Sequence, residues 1–137
     1  MIKDLKIIIL GLIIFVLTIS IGYSIYNSSN HLNDTEYELQ VISINDEFQS
    51  ILSNERTDNP DINNTEHARE LLSKMYAIDE KVYPPQYKEF QDHFKNSLWA
   101  YIKWKYDKNE IYLLNGSAEL KLAYDSFNKV SVDYTFK

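Results

Sequence analysis

Twenty consecutive residues without a charge, Ile7 to Tyr26 (IIILGLIIFVLTISIGYSIY), constrain this chain more than any other feature. As an α-helix the run is about 30 Å long, the thickness of a bilayer's hydrocarbon core. Ile, Leu, Phe and Val dominate it, and their favourable insertion outweighs Gly11, Thr18, Ser20, Gly22 and Ser24. The segment is therefore expected to lodge in lipid. Lys3 and Lys6 precede it, whereas Asn27 to Glu36 contains no Lys or Arg. Basic flanks stay in the cytoplasm, so the expected topology is a single-pass protein of the cell membrane with its N-terminus inside and its C-terminal part extracytoplasmic. A cleaved secretory signal is the competing expectation, with weak small-x-small sites at Ser20-Ile21-Gly22 and Gly22-Tyr23-Ser24. The apolar core is longer than the ~7–15 residues of such signals. Either route exports the rest of the chain.

Divided on this basis, residues 1–6 form a cytoplasmic tip, 7–26 the anchor, 27–34 a linker and 35–137 one small domain, a length that suits a single core. The net charge is −6, and removing Lys3, Lys6 and Asp4, which together carry +1, leaves −7 for the exported part. An acidic domain lacks the clustered positive surface that phosphate backbones require, so nucleic acid is not an expected partner. There is no Cys, which excludes structural disulfides and a lipid thioether. Gly and Pro number three each, too few for a turn-rich β domain and natural for a few long helices.

Periodicity agrees with helix. Asn27 to Asn33 has none and reads as a juxtamembrane linker, with Asp34 or Thr35 capping the next helix. Tyr37, Val41, Ile44, Phe48 and Ile51, widened by Ile42 and Leu52, alternate by four and three, which predicts a first helix over Thr35 to Ser53. NERTDNPDINN is a solvated loop. Ala68, Leu71, Leu72, Met75, Ile78 and Val82 give a second helix from Asn64 or Thr65 to about Tyr83, where Pro84 and Pro85 stop it. A third helix, with the stripe Tyr87, Phe90, Phe94, Leu98 and Tyr101, meets no breaker before Asn115-Gly116 and should be the longest, its far end overhanging its neighbours. Ser117 would cap a fourth helix holding Leu120, Ala123 or Tyr124, Phe127 and Val130 or Ser131. Val130, Val132, Tyr134 and Phe136 alternate as a strand would, but a lone strand has no partner, so this helix is carried to about Asp133 with fraying beyond. The fold class is all-α: an N-terminal transmembrane helix followed by an extracytoplasmic antiparallel four-helix bundle.

The order of these pieces loosely resembles a set of exported Gram-positive helical domains, lipoproteins or single-span proteins of uncharacterised role. The likeness covers nearly everything after Thr35. It rests on the apolar-periodic first helix, the acidic Asn-rich loop, ARELLSKMYAIDEKV, PPQYKEFQDHF opening a long helix that ends near LLNG, and LAYDSF in a short last helix. The lipoprotein members carry an anchoring Cys that this chain lacks. The resemblance implies an envelope location and brings no activity with it.

Chemistry-bearing patterns are sparse. Glu89 and His93 stand at i and i+4, two ligands where a metal site needs at least a third. No G-x-S-x-G, H-E-x-x-H or glycine-rich phosphate loop occurs. Carboxylates at Glu55, Asp58 and Asp61 sit in a polar loop with nothing apolar to raise a pKa. Asn27, Asn33, Asn63 and Asn115 head N-x-S/T sequons, which an Asn-rich chain generates by chance. No enzyme, metal or cofactor is expected. One stretch departs from its surroundings: KNSLWAYIKWKYDK holds four Lys against one Asp, interleaved with aromatics. Packing on both flanks, with Lys stems covering rings, is its plain explanation. A contact for an envelope protein or an anionic wall polymer, made by Trp99, Tyr101, Lys103, Trp104 and Tyr106, is the functional one. The expected role is a non-catalytic interaction or scaffold module at the bacterial envelope, with a ligand-sensing helical bundle or a secreted helical protein as the alternatives.

Overall fold

The computed structural model describes residues 2–137, with side chains over 3–22 and 30–137. Among the described residues there are five α-helices and no strand: α1 (Ile2–Asn30), α2 (Asp34–Glu55), α3 (Asn64–Asp79), α4 (Lys88–Asp107) and α5 (Glu110–Val130), with a short 3₁₀ turn at Pro85–Tyr87. In α1, Lys3–Gly22 is long and apolar enough to cross a membrane, and none of it is covered by protein. The expected linker is helical as far as Asn30. Extending a nucleated helix needs only one further hydrogen bond per residue, which overrides the weak propensity of Asn and Ser.

The junction after α1 is pinned. Leu32 N donates to Val82 O at 2.8 Å and Val82 N donates to Asn30 O at 2.7 Å, a parallel bridge between the end of α1 and the α3–α4 turn. Leu32 is buried. Asn33, one residue before the expected cap, opens α2: its side chain accepts from Glu36 N at 2.8 Å and donates to the Glu36 carboxylate at 2.9 Å. The first bond satisfies a helix-end N–H that would otherwise lack a partner, and the second holds the two side chains together.

From α2 onward each helix packs against the next around one core. Tyr37, Val41, Ile44, Phe48 and Ile51 of the first stripe are buried, with Ile42 and Leu52 half-buried beside them; Ala68, Leu71, Leu72, Met75 and Ile78 on α3 and Phe90, Phe94, Leu98 and Tyr101 on α4 are buried as well. Val82 is not: α3 ends at Asp79, and Val82 contributes its backbone while its side chain is exposed. The core is strongly aromatic, with Tyr37 stacked on Tyr87 at 4.6 Å and Phe48 edge-on to Phe94 at 5.8 Å.

The long third helix is instead two helices. Lys108 adopts a left-handed conformation (φ 55°), its N–H donating to Trp104 O at 2.8 Å, and Asn109 caps α5 by accepting from Ile111 N at 3.1 Å. Gly116, read as a helix terminus, lies inside α5 where a Cβ would stand 3.2 Å from the Ala100 Cβ. It permits close approach of α4 and α5. The expected overhang vanishes, since α2, α4 and α5 have 22, 20 and 21 residues and are each about 30 Å long.

The C-terminal residues neither continue the helix nor form a strand. α5 stops at Val130, and the tail turns back so that Phe136 is buried against Tyr124 and Phe127, with ring centroids at 4.7 and 4.6 Å. Asn128 fixes it twice, donating to Phe136 O and accepting from Phe136 N, both at 2.8 Å.

Candidate functional site

The aromatic and lysine-rich stretch runs from the middle of α4 through its C-terminal turn. At ~100° per residue, positions 99, 103 and 106 share one side of the helix and 101, 104, 105 and 108 share the opposite one. The five forecast contact residues are therefore divided between two surfaces.

On the outer side Trp99 is 53% and Tyr106 73% exposed. Lys103 Nζ lies 5.8 Å from the Trp99 ring centroid, and the Arg69 guanidinium, from α3, lies 5.7 Å from that of Tyr106. Together with Ile102 and Asp107 they line a shallow depression of about 370 Å³. Its character is aromatic with cations at the edge, a combination common in the centres and rims of protein interfaces. Arg69 was not forecast, because its place beside Tyr106 depends on how α3 packs on α4.

On the inner side Tyr101 is buried and Trp104 half-buried. Tyr101 donates its hydroxyl proton to Glu55 Oε1 at 2.6 Å, Lys105 Nζ reaches the same oxygen at 2.7 Å, and Asn64 Nδ2 donates to it at 3.1 Å. Glu55 ends α2, where the helix dipole disfavours an acid and the last turn offers no basic residue. The donors from α3 and α4 supply what the helix lacks. Burial works to raise the Glu55 pKa, and the hydrogen bonds from Lys105, Tyr101 and Asn64 overcome it, holding the carboxyl below its ordinary value. Burial, followed by the bond to Glu55, pushes the Tyr101 phenol well above its ordinary value. The carboxylate expected in a solvated loop is thus a structural ion-pair partner.

Trp104 and Tyr101 also form part of a cleft of about 740 Å³ between α2 and α5, which sequence reasoning missed. The Cα atoms of these two helices stay more than 8 Å apart, and the gap is crossed by side chains: Gln49 Nε2 donates to the Tyr124 hydroxyl at 2.6 Å, and that hydroxyl donates to Asn45. A signal existed. Leu113, Leu120 and Tyr124 share a helical face, which becomes visible once α5 starts at Glu110.

The potential metal pair does not assemble. His93 Nδ1 lies 2.5 Å from Glu119 of α5, and His67 sits 3.8 Å from Glu47. Among the described residues no three His, Asp or Glu side chains form a group that could hold a metal ion. Compared with protein-family models, with curated proteins and with solved structures, the chain matches none.

Proposed function

We infer that this chain is a single-pass membrane protein whose N-terminus is cytoplasmic and whose C-terminal domain is an extracytoplasmic antiparallel four-helix bundle. In this reading the domain is a non-catalytic interaction or scaffold module of the bacterial envelope, akin to the exported Gram-positive helical domains that its layout resembles. The anchor is Ile7 to Tyr26, supported by the uncovered apolar helix and by the Lys3 and Lys6 flank. The observation that carries the role is the outer face of α4. Trp99 and Tyr106 are large, exposed and flanked by Lys103 and Arg69, a pairing of aromatic rings with cations that protein interfaces favour.

In this reading the pinned junction at Val82 is the membrane-proximal end, and the twenty residues of α4 carry this face about 20 to 30 Å from it. That placement favours a protein or wall-polymer partner over the bilayer surface. Tyr101 and Trp104 do not belong to the contact, since they serve the opposite side. The test is capture of envelope proteins and binding to isolated cell walls by the full chain and by Trp99→Ala/Tyr106→Ala. Binding should fall at least tenfold while far-UV circular dichroism stays unchanged. Equal binding by a normally folded double variant would overturn the assignment of this face.

A further inference from the structure

We propose that the cleft between α2 and α5 is a binding site for a single-chain anionic amphiphile, a molecule with one hydrocarbon tail and a carboxylate or similar head. The proposal concerns a different surface from the outer face of α4 and stands independently of it.

The floor is apolar, formed by Leu52, Tyr101, Trp104, Leu113, Leu120 and Phe136. The α5 wall runs from Leu113 to Asn128, which is about 22 Å along the helix. The volume, about 740 Å³, falls within the ~300–1,000 Å³ usual for small-molecule sites. A single hydrocarbon chain can lie along an apolar trough of that length.

Charge selects the head group. The chain is acidic, yet Arg56, just past the end of α2, and Lys121 of α5 line opposite walls, and neither has an ion-pair partner among the described residues. Two carboxylates oppose them. Glu55 is neutralised by Lys105, which leaves Asp125 alone. A cationic rim over an apolar trough favours an anion tethered to a hydrophobic tail and disfavours the cationic and neutral equivalents.

The experiment uses the full chain in lipid nanodiscs with Trp99→Phe, so that Trp104 is the only indole, and titrates 11-bromododecanoate as a short-range quencher. Saturable quenching of Trp104 is expected, with a midpoint at least tenfold higher in Arg56→Glu/Lys121→Glu at unchanged helicity. Brominated dodecanol should be at least tenfold weaker than the carboxylate. In Trp104→Phe, where Trp99 on the opposite side is the sole indole, no saturable quenching is expected. Quenching of Trp104 that never saturates, an alcohol as potent as the acid, or indifference to the charge reversal would each overturn the proposal. So would a dimer that bromododecanoate fails to displace and Leu120→Glu dissociates, because a second copy would then occupy the cleft.

Discussion

Glu55 is held by three donors on one oxygen, and its depressed pKa gives that arrangement a pH signature. A carboxylate whose folded pKa lies below its unfolded value of about 4.5 stabilises the fold above that pH. The contribution is lost as pH falls through the folded value. Thermal unfolding of Glu55→Gln should therefore start well below the parent at pH 7, and the gap should shrink steadily under pH 4.5. A gap constant down to pH 3 would mean that the charge contributes nothing. Gly116 is the second decisive position. Its missing side chain lets α5 lie against Ala100, so Gly116→Val should cost about 1 to 3 kcal/mol by overpacking, measured by chemical denaturation. Both residues were visible in the sequence and both were misjudged. Glu55 was placed among solvated loop acids because its partners Asn64 and Tyr101 come from helices 9 and 46 residues away, and Gly116 was taken for a helix end because close packing and chain reversal call for the same residue.

Among the elements, the apolar stripes of α2, α3 and the first half of α4 were legible because burial on one side of a helix leaves a period of 3.6 whatever the partner. The division between α4 and α5 was not. Its hinge is a lysine with positive φ, which a residue with a Cβ adopts at a cost of ~1 kcal/mol or more. That cost is outweighed by laying the apolar side of α5 on α4, a gain that no local pattern announces. Asn109-Glu110, a cap followed by an acid in the first turn, was the one written signal. The tail obeys the same logic: its alternation resembles a strand, yet Phe136 is there to fill a space beside Phe127 and Tyr124. Phe136→Ala should destabilise the domain by about 3 kcal/mol, read from the shift in denaturant midpoint. No measurable shift would show that the tail is loosely held.

For the whole molecule, the proposed topology rests on the apolar opening and its Lys3 and Lys6 flank, and the absence of Cys makes it easy to test. A single cysteine introduced at the exposed Asn115, in intact cells, should react with a membrane-impermeant maleimide, and one at Lys3 should react only after permeabilisation. The reverse pattern would invert the topology and remove the extracytoplasmic reading. The two aromatic surfaces were legible only in part. Helical period separates Trp99 and Tyr106 from Tyr101 and Trp104, but which side would be covered depends on where α5 turns back.

The backbone bonds that tie Asn30 and Leu32 to Val82 have a consequence for any encounter the domain makes. A domain hung on a loose tether would sweep all compass bearings, whereas one clasped to the end of its own stalk keeps a fixed heading. Whatever docks on it must come from the right quarter, and a rotation of the stalk would swing the domain with it like a weathervane on its spindle.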